Sequence, residues 1–147
     1  MAKAVEVFRA AGVTPVILGD TVTGEAREAA KAHAAIAREI FDFGQPFKRP
    51  VALISGGECT RSRSRTRTGA AGVYGLGADT DGIDGSEANA GACFAPEALN
   101  LAASRGLRAD KLLAANEAYG FFEASGGLIT TGPTRTNVND YRVVLIV

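Results

Sequence analysis

The chain has 147 residues, 46% of them hydrophobic and 22% charged, the balance of one globular domain spanning 1–147 rather than of a disordered tail. Its 16 Lys and Arg cancel its 16 Asp and Glu, so no whole-molecule field draws it to nucleic acid or to an anionic membrane. No apolar run reaches the length of a membrane span, and the opening MAKAVEVFRAAG lacks the apolar segment and cleavage site of a signal peptide, so a cytoplasmic location is expected.

Val5, Phe8 and Ala11 recur at helical spacing, which predicts an amphipathic helix over 2–11 ended by Gly12. Pro15 to Leu18 then reads as a short buried strand. Thr23 is the expected N-cap of a long helix from Gly24 to about Phe43, with Ala26, Ala30, Ala37, Ile40 and Phe41 as its inward stripe and Gly44 and Pro46 as its stop. The lone histidine, His33, falls inside it and reads as a helix-surface or partly packed side chain.

Val51 to Ser55 forms a second buried strand that runs into paired glycines. GVYGLGADTDGIDGS holds a third and AGACFAP a short fourth. Pro96 suits the first turn of a helix reaching Ser104, closed by Gly106. Asp110 to Ala115 and Glu117 to Ala124 are expected as short helices, and GGLITT and Val143 to Val147 as strands. Strands alternating with helices predict an α/β layered sandwich, with a central, mostly buried mixed sheet and flanking helices. Cys59 and Cys93 have neither CxxC spacing nor a neighbouring histidine, so reduced, inert thiols are expected.

The apolar strands open into SGGE, ADTDGIDG and TTGPTRTNVND, and in open α/β sheets ligands sit beyond the carboxyl ends of strands. Gly56 and Gly57 let backbone N–H groups come close to a ligand that Glu58 could orient; a plain turn is the alternative. Asp79, Asp81, Asp84 and Glu87 crowd one glycine-hinged segment, where Ile83 and Asp84 break the EF-hand pattern. Either one or two of Asp79, Asp81 and Asp84 hold a Mg2+ together with substrate phosphates, or the aspartates cap backbone N–H groups of an acidic turn. Thr134, Arg135, Thr136, Asn137, Asn139 and Asp140 mix neutral donors and acceptors with one cation and one carboxylate. That mixture suits a small oxygen-rich anion, or else stitches a loop. No GxxxxGK[ST] motif is present, and GLGADT puts Thr80 where a dinucleotide fingerprint needs glycine.

Taken in order, VALISGGE, ADTDGIDG, NEAYGFFEASGGLITTGPTRTNVND and YRVVLIV closely resemble the MOFRL domain, the C-terminal domain of the glycerate 2-kinases. Many of those enzymes bear the name hydroxypyruvate reductase. RAAGVTPVILGD followed by GEAREAAK matches the stretch leading into that domain, so the resemblance spans nearly the whole chain except about Arg61 to Ala71. It implies a two-domain cytoplasmic enzyme that uses ATP and Mg2+ to phosphorylate D-glycerate at O2. An N-terminal Rossmann-like domain would supply the other half of the cleft, and this chain by itself is expected to be inactive. The resemblance carries binding roles onto Gly56, Gly57, Glu58, Thr80, Thr131, Gly132, Thr134, Arg135, Thr136, Asn137, Asn139 and Asp140. The reductase name would imply NAD(P)H, for which the sequence holds no fingerprint.

The departure follows Glu58. Where the family continues into a Thr/Val strand, a GGRN-like turn and a long apolar helix, this chain has CTRSRSRTRTGAAG. As a strand it would place Arg61, Arg63, Arg65 and Arg67 on one face with nothing apolar to bury, so an extended, solvated loop is expected. Out-of-frame reading of GC-rich codons for Thr-Val and Gly-Arg yields such alternation, and we read the segment as a misread or truncated form of the family's stretch. A nucleic-acid-binding arm is the alternative, although no aromatic residue interleaves the arginines to stack on bases. Apolar surface left where the missing helix would pack predicts self-association.

Overall fold

The computed structural model describes residues 1–60, 71–82, 89–108 and 118–147. Four helices are described, α1 (Ala2–Ala10), α2 (Ala26–Phe43), α3 (Ala98–Ser104) and α4 (Ala118–Ser125). The strands are β1 (Thr14–Gly19), β2 (Gly24–Glu25), β3 (Val51–Gly56), β4 (Cys59–Thr60), β5 (Val73–Asp79), β6 (Gly91–Phe94), β7 (Leu128–Ile129) and β8 (Asp140–Ile146).

Six strands form one sheet in the order β1-β3-β8-β5-β6-β7, and β2 pairs with β4 apart from it. β1 and β3 are parallel, whereas every other neighbour in the large sheet is antiparallel. The sheet is therefore mixed, as expected. β3 is its most deeply buried strand. Its apolar run leaves Val51, Ala52, Leu53 and Ile54 fully buried, as a strand covered on both faces demands. Alternate side chains part to opposite faces. Val51 and Leu53 pack with Ile146 and with Ala37 and Ile40 of α2. Ala52 and Ile54 pack with Val143 and with Ala4, Val5 and Phe8 of α1. A satellite core joins α3 and α4 through Ala98, Ala102 and Phe121.

Several boundaries move. α2 starts at Ala26 with Glu25 at its N-cap and no side-chain cap bond, because Gly24 and Glu25 are drawn into parallel pairing with Cys59 and Thr60. Thr23 is thus not the cap. The inward stripe is narrower than expected, with only Ala37 and Ile40 buried, while Gly44 ends the helix in the left-handed region at φ 66. β1, expected to be buried, sits at the sheet edge with Ile17 51% exposed. β8 begins at Asp140 rather than Val143, because β3 and β5 flank it and extend the ladder into polar residues. Glu97 rather than Pro96 borders α3, and GGLITT contributes only Leu128 and Ile129. The helix expected over 110–115 lies outside the described residues. No helix among those described is long and apolar enough to cross a membrane.

Candidate functional site

Because β8 runs antiparallel between β3 and β5, its first residues lie beside their last. Gly56 faces Tyr141, and Asp79 faces Asp140. All three polar turns therefore rise at one rim of the sheet. A cavity of about 430 Å3 opens there, lined by Glu58, Asp79, Asn137, Asn139, Asp140 and Arg142, with Ala26 and Cys59 on its α2 side.

The Gly56–Gly57 turn is held by the chain around it. Gly57 has φ 114, and a Cβ there would lie 2.5 Å from the backbone N and O of Val22, so only glycine fits. The Val22 N–H donates to the Gly56 carbonyl at 3.0 Å. Arg142 Nη2 donates to the Gly57 carbonyl at 2.8 Å and also to the Asp140 carboxylate. These contacts give both glycines a packing role of their own.

The second and third turns are bound to each other through Thr80. Its hydroxyl donates to the Asn139 carbonyl and accepts from the Val138 N–H, both at 2.9 Å. Its carbonyl accepts from the Thr134 hydroxyl, while the Thr134 N–H donates to the Asp81 carbonyl at 2.8 Å. A Cβ on Gly82 would fall 2.0 Å from the Gly132 carbonyl oxygen, so that crossing also demands glycine. Asp79 Oδ1 accepts from the Asp81 N–H at 3.0 Å, which is the capping role considered for this acidic turn.

The expected site residues thus divide. Glu58, Asp79, Asn137, Asn139 and Asp140 line the cavity, and Gly56, Gly57 and Thr80 build its walls. Thr131, Gly132, Thr134, Arg135 and Thr136 are outside the lining, and Arg135 sits at φ 61 on the exposed loop. Asp84 and Glu87 lie outside the described residues, as do Arg61, Arg63, Arg65 and Arg67. The described carboxylates form no cluster of three able to hold a metal ion alone.

Arg142 is the lining residue that the pattern of the turns does not reveal. Its one signal is a single charge inside the apolar run YRVVLIV, where a strand residue must be paired or functional. Burial pushes the Asp140 carboxyl above its ordinary value of 3.8, more than the adjacent Arg142 guanidinium pulls it down. Asp79 across the ladder adds to the rise. GLG of the incomplete dinucleotide fingerprint lies within β5, and a Cβ on Gly75 would strike the Phe94 ring. Gly75 thus serves strand packing, and both glycines lie within a strand rather than at a strand-to-helix turn.

The pattern of the MOFRL family matches residues 55–140. A protein of Agrobacterium vitis with the provisional name hydroxypyruvate reductase is 42% identical over 92% of this chain and 35% of its own length. The D-glycerate 2-kinase of Thermotoga maritima is 33% identical over 92% of this chain and 36% of its own. A crystal structure of glycerate kinase from Thermotoga maritima superposes at TM-score 0.90 with 31% identity, covering 99% of this chain and 39% of that one. The chain therefore spans little more than a third of the relatives it matches.

Proposed function

Starting from the fact that the chain belongs to the MOFRL family, we propose that it forms one part of a glycerate 2-kinase-like enzyme, and that the rim cavity helps to hold D-glycerate and the phosphates of ATP. The observation that carries this reading is the meeting of the three turns at one rim, together with the kinase names of the relatives. ATP-dependent phosphorylation of glycerate to 2-phosphoglycerate in the cytoplasm is the reaction proposed for the complete enzyme.

Phosphoryl transfer is governed by positioning and by neutralisation of developing charge. Among the described residues, Glu58, Asp79 and Asp140 line the cavity beside the guanidinium of Arg142. A cation entering with an anionic substrate would offset its repulsion by those carboxylates. Asp79 and Asp140, paired across the ladder, would be the hard oxygen donors for a Mg2+ shared with substrate phosphates. When bound, the ion would neutralise phosphate charge and favour the ionised form of Asp140, which burial disfavours. Asn137 and Asn139 offer amide groups to hydroxyl and carboxylate oxygens, and the Thr80 bonds keep that loop against the acidic turn. The nicotinamide reading rests on the reductase name of the Agrobacterium relative, and the mid-strand position of Gly75 and Gly77 speaks against it.

With little more than a third of a relative's length present, the remainder of the cleft is proposed to come from an N-terminal Rossmann-like domain. Coupled ADP release from this chain with ATP, Mg2+ and D-glycerate should match the no-glycerate control. Glycerate-dependent release above that control would overturn the incompleteness of the site. Chemical shifts at Asn137 to Asp140 on adding Mg2+ and ATP test the cavity itself, and their absence would sink it.

A further inference from the structure

Among the described residues of the core, Ser55 is the one fully buried polar side chain. A buried hydroxyl without a partner is destabilising, and this one finds its partner on α2. His33 Nε2 lies 2.8 Å from Ser55 Oγ, while His33 Nδ1 lies 2.7 Å from the Ala29 carbonyl oxygen one turn back. A carbonyl can only accept, so Nδ1 carries the proton of the neutral ring. Nε2 is then left with its lone pair, and the Ser55 hydroxyl donates to it. The tautomer is fixed by a backbone atom of the histidine's own helix.

Ser55 stands immediately before Gly56 and Gly57, the turn that raises Glu58 to the cavity. Two successive glycines have no side chains with which to anchor themselves. Val22 holds the turn from the β1–β2 connection and Arg142 from β8, both through glycine carbonyls. His33 supplies the hold from α2, whose first residue, Ala26, lines the same cavity. Ser55 is 0% exposed and cannot reach a substrate as a nucleophile. It acts through the backbone it is part of.

We propose that His33 and Ser55 form a hydrogen-bonded latch between α2 and β3 that positions the Gly56–Glu58 wall of the rim cavity. His33 is thus a positioning residue, and its link to substrate rests on the function proposed above.

Nitrogen-resolved NMR of the full chain should show His33 in its Nδ1–H tautomer. Ser55→Ala should release the ring from that form and speed amide exchange at Gly57 and Glu58 by about tenfold, the worth of one buried hydrogen bond. His33→Leu should do the same to those amides, whereas His33→Gln should stay near wild type. The Gln side-chain oxygen stands as many bonds from Cα as Nε2 does, and it too accepts. Exchange within β8, at Val144, should not change. An Nε2–H tautomer in the wild type would overturn the latch. So would unchanged exchange at Gly57 and Glu58 in Ser55→Ala, or acceleration spread evenly across the sheet. If His33→Leu fails to fold, Ser55→Ala alone decides. Addition of Mg2+, ATP and D-glycerate should shift the Glu58 amide in the wild type and shift it less in Ser55→Ala. No shift in the wild type counts against the proposed function, while the tautomer and the exchange rates still decide for or against the latch.

Discussion

The two ends of the central strands carry two depressions of different chemistry. One, of about 610 Å3, lies where β3 begins and β8 ends, lined by Phe43, Gly44, Lys48, Arg49, Pro50 and Val147. There Arg49 stacks 4.7 Å over the Phe41 ring and donates to the Val147 carbonyl. The other, at the opposite rim, gathers carboxylates, amides and Arg142. The basic end is an open surface whose arginine is already engaged with neighbouring protein, whereas the acidic end is built by bonds that cross between segments distant in sequence. Convergent polar groups, not volume, mark a candidate site.

Substitutions can break this contrast. The largest effect is expected from Gly57→Ala, which forces a Cβ into the Val22 backbone at a positive φ. Strain of this kind costs about 1–3 kcal/mol, with overpacking of about the same size added. A fall in the urea midpoint together with loss of Mg2+ and ATP shifts is expected, and a variant as stable as wild type would refute the packing reason for this glycine.

Thr80→Val keeps the side chain's shape but removes the hydroxyl that joins Asn139 and Val138. A loss of about 1–2 kcal/mol is expected, with faster exchange at Val138. Unchanged exchange there would mean that the loop is held without Thr80.

Asp140→Asn tests the electrostatics of the rim. Since burial raises the folded-state pKa above 3.8, the folded chain takes up a proton more readily than the unfolded chain. Wild-type stability therefore falls as pH rises from the ordinary carboxylate range through the raised value, and the Asn variant lacks that slope. Urea midpoints that run parallel for the two proteins from about pH 3.5 to about pH 7, across the carboxylate titration, would rule the effect out.

Arg49→Ala, at the other end, should cost only about 0.5–1 kcal/mol, the worth of an exposed cation–π pair, and leave ligand shifts at Asn137 to Asp140 intact. If those shifts vanish, the two ends are coupled and the contrast between them fails.

Much of the architecture is legible in residue order. The uninterrupted apolar run Val51 to Ile54 announces a strand covered on both faces, and Gly44 announces the end of α2. Thr23 misleads because a short local signal competes with pairing between Gly24–Glu25 and Cys59–Thr60, far apart in sequence. β1 misleads because PVIL reads equally as a central or an edge strand until its neighbours are known. Of the rim itself, the three turns and their carboxylates stand out by composition. Arg142 is hidden among valines and leucines, and His33 among alanines, since the Gly57 carbonyl and the Ser55 hydroxyl that they meet lie far away along the chain.

The order of residues by itself determined the mixed α/β class, the polar turns and the family pattern, because periodicity and turn chemistry are local properties of the chain. Only the tertiary structure decided which groups meet. The antiparallel insertion of β8 between β3 and β5 sets Asp140 beside Asp79 and brings Arg142 to the Gly57 carbonyl. The packing of α2 over β3 turns the Ser55 hydroxyl toward His33. Those encounters depend on strand order and register, which no stretch of sequence encodes within its own length.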